Sequence, residues 1–159
     1  MRNTWIRRIS AIRKDGVESA INLTCGLNCI IGASNTGKTR IAKTVEFACG
    51  GKELPFTDKT AYEIAQVTFV TNGGEVSLSR SIHVQNTIHV KSSNPMIVPG
   101  SYSVSSRAGK SINTVLLALL GVESTRRIAT NETYHTVAFT WNAIRHLMIV
   151  PEDQIGRAR

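Results

Sequence analysis

Residues 27–42 read LNCIIGASNTGKTRIA, and the fold turns on how this stretch is understood. Gly32-Ala33-Ser34-Asn35-Thr36-Gly37-Lys38-Thr39 completes G-x-x-x-x-G-K-[ST], the pattern of a phosphate-binding loop. The apolar Leu27, Cys29, Ile30 and Ile31 precede it as a buried strand would, and Arg40 to Cys49 follows with helical spacing. Strand, loop and helix are the three parts that phosphate chemistry needs. The turning backbone, through Ala33, Ser34, Asn35 and Thr36, aims successive N–H groups at phosphate oxygens, and the helix start adds partial positive charge. Gly32 and Gly37 permit the turn and the close approach. Lys38 reaches the β and γ phosphates and is the candidate catalytic residue, because phosphoryl transfer needs positive charge there. The Thr39 hydroxyl is a candidate Mg²⁺ ligand. A chance match in a glycine-containing loop is the alternative, and the flanking strand and helix weigh against it.

Upstream, Trp5 to Arg13 alternates apolar and basic residues with one slip of register and predicts a strand. Lys14-Asp15-Gly16 reads as a turn, and Glu18 to Thr24 as a second strand that Gly26 breaks. The chain therefore opens with a hairpin and then enters the nucleotide-binding strand. Downstream, the helix from Thr39 to Ala48 carries Ile41, Ala42, Val45 and Ala48 on one face, and Gly50-Gly51 terminates it. This sets out a first region over residues 1–51.

Lys52 to Thr60 lacks periodicity and reads as a loop. Tyr62 to Val70 and Glu75 to Ile82 alternate on either side of Thr71-Asn72-Gly73-Gly74, the strongest hairpin signal in the chain. Ile82, Val84, Ile88 and Val90 predict a further strand, so residues 60–90 read as an antiparallel region. Residues 91–110 are rich in Ser, Pro and Gly and read as an exposed, mobile loop. Ala108-Gly109-Lys110-Ser111 there imitates a phosphate loop, but Val104 stands where the first glycine belongs. Ser111 is better explained as the N-cap of an apolar helix, Ile112 to Leu120, stopped by Gly121. In the last region, 111–159, Asn131 to Thr140 is strand material, Asn142 to Val150 is a mixed segment, and Pro151-Glu152-Asp153-Gln154 interrupts it. No capping or tail signal closes the chain at Arg159, so the reading expects it to continue.

A length of 159 residues with 42% hydrophobic content suits one globular domain. The surplus of 19 Lys+Arg over 11 Asp+Glu, a net +8, favours polyanionic partners, DNA among them, but the basic residues are dispersed and fit an ordinary basic surface equally well. Three cysteines, Cys25, Cys29 and Cys49, form neither a disulfide framework nor paired zinc ligands, and reduced thiols in the cytoplasm are the simplest reading. No segment approaches 18 uninterrupted apolar residues, and the N-terminus lacks an apolar signal core, so neither membrane spanning nor secretion is expected.

The order of elements does not suit a doubly wound nucleotide kinase, which would show successive β-α units and an acidic residue ending a later strand. The nearest such run, Met148-Ile149-Val150-Pro151-Glu152-Asp153, has a proline between its apolar residues and its acids. The string Gly26-Leu27-Asn28-Cys29-Ile30-Ile31-Gly32, the loop, and a helix ending in Cys49-Gly50-Gly51 resemble the start of SMC-like ATPases, the SMC, RecN and RecF relatives of ABC ATPases. Val76 to Ile82, with Arg80, resembles their strand after the helix, and Ile144 to Ile155 sits where such heads place the Q-loop. Only residues 26–51 carry a specific likeness.

The resemblance implies an α/β fold: a P-loop NTPase, the N-terminal lobe of an ABC/SMC-type head, with an antiparallel β insert beside the nucleotide-binding strand and helix. It implies ATP and Mg²⁺ as cofactors, bound by Gly32 to Thr39 with Arg40 beside them; Arg40 departs from the small or amide residue common in the family at that place. Gln154 becomes the candidate Q-loop glutamine, a catalytic and metal-contacting residue. Glu152 or Asp153 facing the metal, or a solvated polar turn, are the alternatives. Arg13 falls where these heads place a basic residue near the nucleotide, against the plainer reading of a surface arginine. The chain lacks a signature LSGGQ motif and a Walker B Asp-Glu pair, so the expected partners are a C-terminal ATPase lobe and a second head, in a homo- or heterodimer, with DNA as a possible target and no membrane. The implied function is an ATPase half-site for DNA repair, maintenance or anti-phage defence. The competing readings are a non-hydrolytic nucleotide switch that controls a protein interface, and a small P-loop kinase with Arg126-Arg127 as a faint lid candidate.

Overall fold

The computed structural model describes residues 4–33, 37–57, 60–105, 109–123, 127–129 and 136–148. In chain order its elements are β1 (Trp5–Arg13), β2 (Glu18–Asn22), α1 (Lys38–Ala48), β3 (Tyr62–Thr71), β4 (Gly74–Ser81), β5 (Thr87–Ser92), β6 (Gly100–Ser103), α2 (Ile112–Leu119), β7 (Arg127–Ala129), β8 (Thr136–Ala138) and α3 (Trp141–Met148). The first six strands form one sheet in the order β2-β1-β3-β4-β5-β6. Every neighbouring pair in it is antiparallel. Among the described residues, β7 and β8 pair only with each other.

This architecture overturns the expected α/β P-loop fold. The molecule is built on an antiparallel β-sheet, and no strand leads into the phosphate loop. The Leu27–Ile31 stretch has no regular structure, with Leu27 99% and Ile31 89% exposed. Two physical causes act together. β1 is already paired on both edges, by β2 and by β3, which leaves no slot beside it. Asn28 then folds its side chain back on the preceding turn: it accepts from Thr24 N–H at 3.0 Å and donates to Thr24 O at 2.8 Å and Gly26 O at 3.0 Å. An apolar run reads the same in sequence whether or not a neighbouring strand is there to receive it.

The sheet has one apolar and one polar face, as period-2 alternation requires. Ile9, Ala65, Val67, Val76, Leu78, Ile88, Val90 and Tyr102 are buried on the first. α1 covers the β1 and β3 part through Ile41, Val45, Phe47 and Ala48, and α2 covers β4 to β6 through Ile112, Val115, Leu116 and Leu119. Each fully buried Leu, Ile or Phe contributes about 1.5–3 kcal/mol, so this layer is the main source of stability. The opposite face carries Ser10, Gln66, Thr68, Ser77, Ser79 and His89 in cross-strand register.

Local features follow the chemistry of their residues. Where the sequence shows one slip in β1, its pairing with β3 has two register shifts, between Ile6 and Arg8 and between Ile12 and Arg13. The β3–β4 connection turns on Asn72-Gly73, where a Cβ on Gly73 would lie 2.8 Å from the Asn94 side chain, whose amide donates to Thr71 Oγ1 at 2.9 Å. Ser111 caps α2 by accepting from Asn113 N–H at 3.3 Å. The stretch read as a mobile loop supplies the edge strand β6 and the buried Ile97 and Tyr102. Val84, counted toward a strand, lies exposed in the turn between β4 and β5.

Candidate functional site

The candidate site stands at the N-terminal end of α1. Gly37 occupies the N-cap position in the left-handed region, φ 91°, and a Cβ there would meet open space but a strained backbone. Glycine has no side chain to cap with, and the first turn holds no acidic residue. Arg40 N–H donates back to Gly37 O at 2.9 Å, and the N–H groups of Lys38 and Thr39 ahead of it are the leading donors of this 11-residue helix. Lys38 Nζ donates to Gly32 O at 2.8 Å and to Ala33 O at 2.6 Å, folding its charge over the loop's own backbone. Lys38, Thr39 and Arg40 are all exposed. Lys43, one turn further on, is paired with Glu53 at 3.0 Å.

Among the sequence-predicted site residues, Gly32, Ala33, Gly37, Lys38, Thr39 and Arg40 are brought together here. Ser34, Asn35, Thr36 and Gln154 lie outside the described residues, as do Glu152 and Asp153. Arg13 forms a surface ion pair with Asp15 at 3.2 Å in the first hairpin turn. In the phosphate-loop imitation at 108–111, the described part serves packing and capping. Lys110 Nζ sits 4.8 Å from the Tyr102 ring centroid, and its carbonyl accepts from Ser103 N–H at 2.8 Å.

The far end of α1 is built in the opposite manner. Gly50, φ 96°, and Gly51 close the helix by donating to Phe47 O at 3.0 Å and Glu46 O at 2.8 Å, the paired bonds of a Schellman ending. Arg80, only 3% exposed, then reaches across from β4. Its NH1 donates to Phe47 O at 2.6 Å and Gly51 O at 2.7 Å, its Nε donates to Gln85 O at 2.8 Å, and the guanidinium lies 4.0 Å from the Phe47 ring centroid. No carboxylate partners it among the described residues. Burial pushes the guanidinium down to about 10, so it stays charged at neutral pH, held by carbonyl dipoles and the negative C-terminal end of the helix. Arg80 therefore anchors to the sheet the helix that presents the loop. Sequence reasoning missed this role, although Arg80 falls in phase with Val76 and Leu78 on the inward face, a signal that a buried cation had carbonyls to satisfy.

The thiols divide in the same way. Cys25 and Cys29, before the loop, are exposed, whereas Cys49 is buried and desolvation pushes it up to about 12. Among the described residues there is no group of three or more His, Cys, Asp or Glu that could hold a metal ion, and no helix long and apolar enough to cross a membrane. No protein-family model matches the chain, and no curated protein matches it significantly.

Proposed function

We propose that the chain binds ATP and Mg²⁺ at Gly32 to Thr39 and is one half of the catalytic site of an SMC-like ATPase, acting on DNA in the cytoplasm. The observation that supports this reading is the complete phosphate-loop motif entering an uncapped helix, with Lys38 already folded over the loop carbonyls at 2.8 and 2.6 Å. The proposal concerns the site and does not restore the α/β head. Lys38, Thr39 and the leading N–H groups of α1 are a donor set that fits a triphosphate: a cation, a hydroxyl and backbone amides with no competing acid in the first turn. Bound Mg²⁺ would neutralise charge on the phosphates, with Thr39 as its ligand from this chain. Lys38 would exchange the carbonyls of Gly32 and Ala33 for phosphate oxygens, and Arg40 would flank them.

Turnover requires groups that this sequence does not bring: a carboxylate to orient the attacking water and the donors of a signature surface. A C-terminal ATPase lobe and a second head supply them in this reading, and Gln154 joins from this chain. The reduced, sparse cysteines support the cytoplasm, and the +8 charge supports DNA as the polyanion acted upon. The test is ATPase activity of the completed heads, with and without DNA. The reading expects DNA-stimulated turnover that Lys38→Ala reduces by a factor of about 100 or more. Activity unchanged by Lys38→Ala would remove the loop from the mechanism.

A further inference from the structure

A cleft of about 660 Å³ opens at the other end of α1, between its C-terminal turn, α2 and the start of α3. Its size lies within the range of small-molecule sites, roughly 300–1,000 Å³. Lys52 and Arg145 bring positive charge to it, Asn86 and Asn142 bring amides, and Leu116 and Trp141 form an apolar wall. None of the described residues lining it is acidic. The two cations differ in availability. Arg145 is half-buried and paired with Glu46 at 3.3 Å, which fixes its position and offsets part of its charge. Lys52 is exposed and has no carboxylate partner among the described residues.

The wall is held in place from both sides. Trp141 is half-buried against the cluster that contains Leu116, and its backbone N–H donates to Asn113 Oδ1, tying the first residue of α3 to α2. A preorganised indole beside two cations and two amides matches a ligand with one flat apolar part and one anionic part. The cleft is separate from the phosphate loop. α1 has 11 residues, which places roughly 16 Å of helix between the two at 1.5 Å per residue.

We propose that this cleft binds a small aromatic anion, with the phosphate or carboxylate at Lys52 and Arg145 and the ring against Trp141. The site is independent of nucleotide binding at the loop. Phenyl phosphate is the probe, titrated into the full chain by calorimetry and by tryptophan emission, with cyclohexyl phosphate as the saturated control. The expected result is saturable one-site binding with altered emission, weakened about tenfold by Lys52→Ala and left within about twofold by Lys38→Ala. Lys52 is exposed, so the variant should unfold at the same temperature as the parent. The proposal is overturned by no saturable binding at millimolar probe, by loss in Lys38→Ala with retention in Lys52→Ala, which would place the anion on the glycine loop, or by equal affinity for cyclohexyl phosphate, which would remove the ring from the recognition.

Discussion

The two ends of α1 obey opposite rules. At the C-terminal end Arg80 pairs the Phe47 and Gly51 carbonyls, the thiol is buried, Gly51 leaves no room for a side chain, and Gly50 holds a left-handed backbone. At the N-terminal end the cap has no side chain, the neighbouring residues are exposed, and the lysine holds the loop's own carbonyls. One end is a fixture and the other is an open set of donors. A helix anchored at one end can hold its leading N–H groups fixed at the other, so that in the proposed reading only the Lys38 side chain has to turn from the loop carbonyls to the phosphate.

The largest expected effect lies at the fixture. Arg80→Met removes three hydrogen bonds, and although Gly50 N–H still holds Phe47 O, the Gly51 and Gln85 carbonyls lose the guanidinium, so urea unfolding should show a loss on the order of 3 kcal/mol. A change under about 0.5 kcal/mol would mean that water replaces the guanidinium without cost. Next comes Gly51→Ala. A Cβ there would sit 2.6 Å from Glu46 Cγ and 2.8 Å from Glu46 O, a backbone clash that should cost about 2 kcal/mol in the same measurement. By contrast Lys38→Ala, on an exposed residue, should alter stability by less than about 0.5 kcal/mol. A large loss there would show that the open end is structural too.

Thiol chemistry sharpens the same contrast. Iodoacetamide near pH 8 should label Cys25 and Cys29 readily and spare Cys49, whose thiol is pushed up to about 12 by burial. Equal labelling of all three in the folded protein would mean that the C-terminal end of α1 opens easily. The smallest effect belongs to the first hairpin. Arg8 donates to Glu18 at 2.7 Å and holds that carboxyl below its usual range. A carboxylate with a depressed folded value stabilises above the ordinary carboxylate range, and the contribution disappears as pH falls through the folded value. Glu18→Gln should therefore lower the unfolding midpoint slightly at pH 7 and not at about pH 2, the pair being largely solvated.

The contrast also marks what could be read from sequence. The β3–β4 hairpin was legible because alternation and an Asn-Gly turn agree, and the Ser111 cap because a hydroxyl precedes an apolar helical run. α1 was legible at both ends through Lys38 and Gly50-Gly51, though its buried stripe includes Thr44 and Phe47 and leaves Ala42 exposed. Leu27 to Ile31 was misread, since a strand is defined by its neighbour as much as by its own residues, and β1 has no free edge to offer. β6 was hidden for the converse reason. Four residues, only one of them a buried aromatic, carry little periodicity, and the edge of β5 makes them a strand. The phosphate-loop motif stands as a sequence pattern whose central residues, Ser34 to Thr36, lie outside the described residues, whereas Arg80 needed the tertiary contact to show what it holds.

The central claim is that the open end of α1 takes a nucleoside triphosphate. Calorimetric titration of Mg·ATP into this chain and into its Lys38→Ala variant, with circular dichroism to verify that both are folded, tests it directly. The account predicts saturable Mg²⁺-dependent binding by the parent chain, and loss of that binding in a variant of unchanged stability. Binding of equal strength in both, or none in either, would contradict it.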